Sequence, residues 1–324
     1  GPSIDKETVL SKVIANIDVF RINLSHGDEE VKKRYVDIIN KLDNSKSVLL
    51  DTKWPEIRTK NKFDIECKEE SIMNLQYAEF FKEKDDTIYI DYANLENIVI
   101  GTIISFDMDA VVIEVIQENK DVWGFNVKVI QWWTLWINKL VDFENYIPKL
   151  PFLWEKDKKH IAWWLDHKVS LVAVSYIRSE ENVIDIKNFF ERIHGSHLKL
   201  IAKLETHEFL ENFESIVDLV DGVIINKKKL ELLVNKKDVT DVRNRLINIC
   251  NRKGKPISIH CDFDIKTKDF SYTKDIIQEE ISLWVDSFIL TKETTISEDS
   301  FYYVEKLYEI INSNSIEMKV QYNQ

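Results

Sequence analysis

A lysine and a glutamate two residues apart, Lys203 and Glu205, end a short apolar run and have a spacing that could support chemistry. Side chains two residues apart in a strand point to the same side, so this pair would present a cation and a carboxylate together. Such a pair is typical either of a site that handles anionic groups or of an interior ion pair. The spacing alone leaves both interpretations open.

Seven short runs rich in Val, Ile and Leu recur between stretches of helical periodicity, which predicts βα units and a parallel sheet. Each run ends in polar residues, at the strand end where α/β barrels and doubly wound sheets place their active sites. The runs are 18–25, 47–53, 171–177, 198–205, 222–227, 256–261 and 287–292. Apolar spacing predicts helices over 28–43, 180–194, 207–219, 239–253, 273–284 and 298–312.

The rhythm changes between Arg58 and about Leu140. There, apolar runs at 87–91, 97–104, 110–116 and 125–130 follow one another without helices, which predicts a small all-β insertion. Eight βα strands would close a barrel, and we expect the one missing from the seven to precede residue 1.

Bulk composition excludes several classes of protein. A formal net charge of −12 argues against a general nucleic-acid binder, because backbone affinity needs a concentrated basic face. No stretch approaches the roughly 18 apolar residues of a membrane span. Three scattered cysteines (Cys67, Cys250 and Cys261) fit neither a disulfide framework nor a metal site, and no signal peptide opens the chain. We therefore expect a cytoplasmic protein that binds neither nucleic acid nor a membrane.

Three segments at strand ends carry recognisable motifs. They are Phe20-Arg-Ile-Asn-Leu-Ser-His-Gly27, Leu50-Asp-Thr-Lys-Trp-Pro-Glu-Ile-Arg-Thr59 and Leu198-Lys-Leu-Ile-Ala-Lys-Leu-Glu-Thr-His-Glu208. They resemble the patterns R-x-N-[FL]-S-H-G, D-x-K-G-P-E-I-R-T and I-x-K-I-E-N-x-E of the pyruvate kinase family. The resemblance implies a TIM (β/α)8 barrel interrupted after its third strand by a small β-barrel cap. It implies a barrel domain at 1–58 and 141–312, a cap at 59–140 and a tail at 313–324, without the family's C-terminal regulatory domain.

The resemblance also implies a reaction and a set of site residues. The reaction is phosphoryl transfer between phosphoenolpyruvate and ADP, giving pyruvate and ATP in glycolysis, with Mg²⁺ and K⁺ as cofactors; it leaves a homo-oligomer open. Lys203 would be the catalytic cation, Arg21 and Arg58 would bind phosphate, and Glu205 would bind Mg²⁺. The K⁺ ligands would be Asn23, Ser25, Asp51 and Thr52.

The metal-binding part of the pattern departs from the family. The stretch Lys227-Lys-Lys-Leu-Glu231 stands where the family reads R-G-D-L-G, so that Lys229 replaces the second Mg²⁺ carboxylate. Farther on, His260-Cys261 replaces the Ala-Thr of A-T-Q-M, and an active-site threonine is lost. We expect His26 and His207 to be structural, since neither belongs to a Ser/Asp constellation.

Tryptophan is overrepresented, with nine residues against only seven glycines. Glycine is about 2% of this chain but about 7% of soluble proteins. The family has glycine where this chain has Trp54, Trp132, Trp133, Trp136, Trp164 and Trp284. We hypothesise that the gene encodes glycine with UGA and that these codons were translated as tryptophan. The alternative is that real indoles fill these turns, and UGG codons at positions 54, 132 and 133 would establish it.

Three functions follow as alternatives. The first is a divergent pyruvate kinase in which Lys229 takes over part of the role of a divalent ion or Glu231 supplies the missing carboxylate. The second is a non-catalytic relative that keeps phosphate and K⁺ binding and acts as a sensor or as the partner of another subunit. The third is a truncated gene product, because a barrel without its first strand leaves two sheet edges exposed.

Overall fold

The chain divides into two compact units in the computed structural model, residues 1–54 with 152–324 and residues 55–151. The structure describes residues 7–24, 29–52, 57–80, 86–106, 110–121, 123–143, 146, 148, 152–153, 155–167, 169–261, 263, 271–290 and 300–321. None of the helices in these ranges is long and apolar enough to cross a membrane.

The elements are numbered along the chain. The strands are β1 Val19–Asn23, β2 Ser47–Asp51, β3 Ile57–Arg58, β4 Ile65–Cys67, β5 Ile72–Tyr77, β6 Thr87–Ile90, β7 Ile103–Phe106, β8 Val111–Asn119, β9 Gly124–Gln131, β10 Trp133–Leu135, β11 Leu140–Phe143, β12 Leu171–Val174, β13 Lys199–Leu204, β14 Gly222–Ile225, β15 Ile257–His260 and β16 Ser287–Ile289. The α-helices are α1 Glu7–Val13, α2 Glu29–Leu42, α3 Glu155–Trp164, α4 Glu180–Arg192, α5 His207–Glu211, α6 Phe213–Leu219, α7 Lys227–Leu233, α8 Val239–Arg252, α9 Ser271–Ser282 and α10 Ser300–Gln321.

The first unit is built on a parallel sheet with the strand order β1-β2-β12-β13-β14-β15-β16. These strands coincide with the seven apolar runs, so the predicted parallel sheet is confirmed. The order follows the chain, as expected when each crossover packs a helix onto the sheet and returns beside the previous strand. Closure of this sheet into an eight-stranded barrel stays a prediction.

The strand period of two decides which side chains reach the site. On β2, Val48 and Leu50 are fully buried against the helix layer, in a core that also takes Val36 of α2 and Val172 of β12. The intervening Leu49 lies on the opposite face, in a small apolar cluster with Ala173 and Ile224. Asp51 is two residues beyond Leu49 and therefore shares this second face.

The two edges of the parallel sheet approach one apolar cluster. Phe20 of β1 packs there with Leu10 of α1 and Val304 of α10, and Leu290, the residue after β16, packs against the same cluster. The sheet therefore curves enough to bring both edges to α10.

The second unit is a mixed sheet with the order β3-β11-β7-β8-β9-β5-β6, plus a two-stranded β10-β4 ladder. All neighbours are antiparallel except β5 and β6. Its outermost strands are joined by backbone hydrogen bonds from Lys60 N–H to the Tyr89 carbonyl (2.7 Å) and from Asp91 N–H to the Arg58 carbonyl (3.0 Å). The sheet is therefore nearly closed around its own core, in agreement with the predicted all-β insertion.

Two predicted elements are wrong in detail. The helix expected over 207–219 breaks at Asn212, whose backbone leaves the helical region and whose side-chain amide donates to the Arg178 carbonyl at 3.1 Å. The strand expected over 97–104 begins only at Ile103, because a turn with Gly101 at φ 87° precedes it. Val99 and Ile100 are consequently exposed, so their apolar character was misleading.

Four helices were not anticipated or are longer than expected. Helices α1, α3 and α7 are absent from the prediction; α3 and α7 are rich in Lys and show little apolar period. Helix α10 continues to Gln321, nine residues past the predicted end.

Candidate active site

Five polar side chains meet at the carboxyl ends of adjacent strands in the first unit. Arg21 comes from β1, Asp51 ends β2, Ser175 follows β12, and Lys203 and Glu205 lie at the end of β13. Because all of these strands are parallel and neighbouring, their carboxyl ends share one edge of the sheet. The structure therefore brings four predicted site residues together, and Ser175 joins them.

Asp51 is a buried carboxylate between two cations. Its Oδ2 accepts from the Arg21 Nε at 2.6 Å, and its Oδ1 lies 3.0 Å from the Lys203 Nζ. Its side chain is only 2% exposed. Burial by itself would raise the pKa of Asp51, but the charges of Lys203 and Arg21 outweigh it and hold that pKa below its ordinary value. Asp51 is therefore ionised at neutral pH.

Lys203 is the centre of the group. Three oxygens lie within 3.0 Å of its Nζ, as many as an ammonium has N–H donors: Asp51 Oδ1 at 3.0 Å, Glu205 Oε1 at 3.0 Å and Ser175 Oγ at 2.9 Å. Burial would lower the pKa of Lys203, but Asp51 and Glu205 outweigh burial and raise it. The lysine is therefore a permanent, largely buried cation at the carboxyl end of β13.

Glu205 has one oxygen that suits a metal ion. Its Oε1 pairs with Lys203, while its Oε2 is buried and has no hydrogen-bond partner among the residues described. A buried carboxylate oxygen without a donor is costly unless a cation or water reaches it. Mg²⁺ is commonly held by one or two carboxylates together with substrate phosphates, so Glu205 fits the predicted role. Within the described ranges, no group of three or more His, Cys, Asp or Glu side chains could hold a metal by itself.

The predicted K⁺ ligands fit less well. Asn23 and Asp51 are paired across β1 and β2, but both carboxylate oxygens of Asp51 already face protein cations. The hydroxyl oxygen of Thr52 accepts the Ser175 N–H at 3.2 Å. Ser25, like His26 and Trp54, lies outside the described residues. A monovalent cation beside Asp51 would share its carboxylate with Arg21 and Lys203, so the K⁺ site stays a prediction.

His260 adds a neutral ring to the same edge of the sheet. It is the last residue of β15, and burial together with Arg21 and Lys203 lowers its pKa to about 3, with Asp51 opposing. The imidazole therefore carries no charge at neutral pH.

A helix begins where the family pattern has its second Mg²⁺ carboxylate, the position of Lys229 in this chain. Helix α7 begins immediately after β14, and the Asn226 side chain caps it by accepting the Lys229 N–H at 3.3 Å. Glu231 is two residues beyond Lys229 on this helix, and residues so spaced do not share a face. Glu231 therefore does not share a face of α7 with Lys229, and its role as the missing carboxylate stays a prediction.

Cys261 lies in an apolar environment. It is 5% exposed and belongs to a cluster with Phe263, Ile277 and Tyr303. Its backbone N–H donates to the Ile289 carbonyl at 3.0 Å. The position at which the family pattern has threonine is thus part of the packing between β15 and the last two helices.

The remaining predicted residues lie elsewhere. Arg58 belongs to the second unit, where its guanidinium donates to the Asn138 carbonyl at 2.7 Å, so its phosphate-binding role stays a prediction. His207 is the exposed first residue of α5. Ser175 was the residue missed by sequence reasoning. The signal was present, because a serine directly after a buried strand is one of the polar strand ends that mark this edge.

Comparisons with known proteins agree with this geometry. A family model described as the pyruvate kinase barrel domain matches residues 1–263. Pyruvate kinase of Staphylococcus epidermidis is 31% identical over 267 residues, which cover 79% of this chain and 45% of that protein. The pyruvate kinases of Staphylococcus haemolyticus and Bacillus licheniformis are 29% identical over 266 residues and 30% over 265, with the same coverage. The chain spans about half the length of the curated relatives it matches. With the family model covering most of its length, the chain belongs to the pyruvate kinase family.

Proposed function

We propose that the protein is a phosphotransferase that moves a phosphoryl group from phosphoenolpyruvate to ADP, in the cytoplasm. The observation that supports this most is the Lys203 ammonium, held at the carboxyl edge of the sheet between Asp51 and Glu205 and beside Arg21. Transfer of a phosphoryl group requires fixed positive charge around anionic oxygens more than covalent participation by the protein. Lys203 and Arg21 are two such charges, and Asp51 contacts both of them.

Each side chain has a role in the proposed reaction. Arg21 would orient the phosphate of phosphoenolpyruvate, because a guanidinium offers paired donors in a fixed plane. Lys203 would stabilise the transferring phosphoryl group and the enolate oxygen released when its bond to phosphorus breaks. The phosphorus would form its new bond to a terminal oxygen of ADP, and the enolate would take a proton at carbon to become pyruvate. Asp51 would keep Lys203 and Arg21 in place and charged.

A divalent cation is part of this proposal. Mg²⁺, when bound, would neutralise charge on the phosphate oxygens, and the buried Oε2 of Glu205 is the oxygen that would hold it. K⁺ is the weaker of the two cation proposals, because the charge of Asp51 is balanced by protein cations.

The test is a coupled assay for pyruvate from phosphoenolpyruvate, ADP and Mg²⁺, with and without K⁺. We expect turnover that falls by at least about a hundredfold in Lys203→Ala, as removal of a major electrostatic contact to the transition state does. The matched control is Lys199→Ala on the same strand, whose side chain is 61% exposed. A rate in the unaltered protein that does not exceed that of Lys203→Ala would reject the proposal.

A second candidate function, binding without catalysis, is favoured by one observation. Asn226 caps α7 directly after β14, so that Lys229 rather than a carboxylate follows the capped turn. Phosphoenolpyruvate binding by calorimetry that is abolished in Arg21→Ala, in a protein without pyruvate formation, would support this role. The absence of binding would reject it.

A further inference from the structure

Ser175 is a buried residue that belongs to neither the phosphate contacts nor the metal ligands described above. It is fully buried directly after β12, the strand between β2 and β13 in the sheet. Its hydroxyl oxygen accepts from the Lys203 Nζ at 2.9 Å, and its backbone N–H donates to the Thr52 hydroxyl oxygen at 3.2 Å. We propose that Ser175 is a positioning residue, which fixes the direction of the Lys203 ammonium. The inference rests on the function proposed above for Lys203.

The Ser175 hydroxyl is a neutral acceptor between two carboxylates, Asp51 and Glu205, and its effect on Lys203 differs from theirs. Asp51 ends β2 and Glu205 follows β13, so they hold Lys203 from the two strands that flank β12. The two carboxylates fix the position of the ammonium along the line that joins them, but not its position perpendicular to that line. The Ser175 hydroxyl, on the middle strand, fixes this second direction. Because the hydroxyl is neutral, it does not change the net charge of Asp51, Lys203 and Glu205.

The backbone beyond Ser175 is held in an uncommon conformation. Tyr176 has a φ of 62°, in the left-handed region that aromatic residues rarely adopt. The Arg178 guanidinium lies 5.5 Å from the centre of its ring. The loop is further fixed by the Thr206 hydroxyl, which donates to the Ile177 carbonyl at 3.0 Å, and by the Asn182 side chain, which accepts the Arg178 N–H at 3.0 Å.

Strained backbone of this kind persists only where its surroundings determine it, and it is concentrated at functional sites. The strain here directly follows the residue that contacts Lys203. The loop and the hydrogen bond together point to Ser175 as a residue placed for Lys203.

The experiment observes the position of Lys203 itself. Crystal structures of the unaltered protein and of Ser175→Ala locate the Lys203 Nζ relative to Asp51 and Glu205. In Ser175→Ala the Nζ should move by about 1 Å, a displacement large enough to affect catalysis. Ser175→Thr keeps the hydroxyl and should restore the position. The matched control is Ser258→Ala on β15, whose hydroxyl pairs with Ser287 at 2.6 Å and whose loss should leave Lys203 in place.

The catalytic consequence is measured in parallel. In Ser175→Ala, kcat should fall about tenfold while KM for phosphoenolpyruvate changes less than about twofold, since misplacement affects the transition state more than binding. If Ser175→Ala does not fold, Ser175→Cys keeps the volume with a weak acceptor and should give the same pattern.

The possible outcomes separate this inference from the proposed function. A Lys203 Nζ that stays in place in Ser175→Ala overturns the positioning role, whether or not the protein forms pyruvate. A displaced Nζ with unchanged kcat overturns its catalytic part. A displaced Nζ in a protein that forms no pyruvate in any variant rejects the proposed function, while the role of Ser175 in placing Lys203 holds.

Discussion

The carboxyl ends of β2, β12 and β13 differ sharply from those of β14, β15 and β16, although all six strands belong to one sheet. The first region contains buried charges that contact one another: Asp51, Lys203 and Glu205 with distances of 3.0 Å. The second contains a capped helix start at Asn226 and a cysteine, Cys261, packed among apolar residues. One half of the edge is organised for charge and the other for packing.

The two regions differ in how their polar groups are satisfied. Charged groups in the first region stabilise one another, so the loss of any one would leave a buried charge uncompensated. The second region has no such mutual dependence, because its polar groups are satisfied by helix capping and backbone bonds. Substitutions would therefore accumulate more easily there.

The largest expected effect comes from Lys203→Met, which removes the central cation of the first region. Glu205 would then be buried without a cation and Asp51 would keep only Arg21, so the free energy of unfolding should fall by about 3–5 kcal/mol. Urea unfolding measures this. The control is Lys199→Met on the same strand, where an exposed pair with Asp221 should cost less than about 1 kcal/mol. Equal effects at the two positions would contradict the contrast between buried and exposed charge.

A pH effect is expected next, from a buried ion pair between helices α8 and α9, outside both regions. Glu280 on α9 is 4% exposed and pairs with Arg243 of α8, which it shares with Glu279. Burial raises the pKa of Glu280 to about 7, with Arg243 opposing, Glu279 raising it further and Lys227 opposing. The folded state therefore binds this proton more tightly than the unfolded chain, and stability falls as pH rises from about 4.5 to 7. The pKa of Asp51 is lowered, so its effect has the opposite sign: the stability that Asp51 contributes is lost as the pH falls below the pKa of an unfolded aspartate.

The measurement is urea unfolding at pH 5 and pH 8. Glu280→Gln should remove about 3 kcal/mol of the loss in stability between these pH values. Glu279→Gln should keep most of it, because burial is the main cause of the shift and Glu279 is half-exposed. An identical pH dependence in Glu280→Gln and the unaltered protein would show that this carboxyl does not titrate in the range.

A carboxylate introduced at position 229 should raise the affinity for Mg²⁺. Lys229→Asp changes the local charge by two units at the position where the family pattern has a metal ligand, so Mg²⁺ affinity should rise about tenfold. Calorimetric titration measures this, and Lys199→Asp, with the same change of charge on an exposed side chain, is the control. An unchanged Mg²⁺ titration would mean that the capped turn before α7 no longer allows a metal site.

The sequence predicted the parallel sheet because period and apolar runs are local signals. It also predicted that Arg21, Asp51, Lys203 and Glu205 belong to one site, because the motifs that contain them lie at strand ends. It could not predict the break at Asn212, because the hydrogen bond from the Asn212 side chain to the Arg178 carbonyl joins residues 34 positions apart. The contact between Ser175 and Lys203 was missed for the same reason, since it depends on strand register across β12 and β13.

The smallest expected effect concerns how helices end. Helices α4, α8 and α9 share one terminal arrangement, in which a residue with positive φ follows the helix: His194 at 59°, Gly254 at 62° and Trp284 at 63°. In each, the next residue donates its N–H back to a carbonyl of the last turn: Gly195 to Phe190, Lys255 to Cys250 and Val285 to Glu280. Glycine is the residue that this arrangement favours.

Trp284→Gly should therefore stabilise the protein by about 1 kcal/mol, since a side chain in the left-handed region costs about 1–2 kcal/mol per residue. The indole is 56% exposed, so little burial is lost with it. Trp284→Ala is the matched control, because it removes the indole without giving the backbone this freedom. If urea unfolding found the two variants equally stable, backbone strain would not distinguish position 284. A clear advantage for glycine would strengthen the hypothesis that this tryptophan is a translated UGA codon, and a UGG codon at 284 would contradict it.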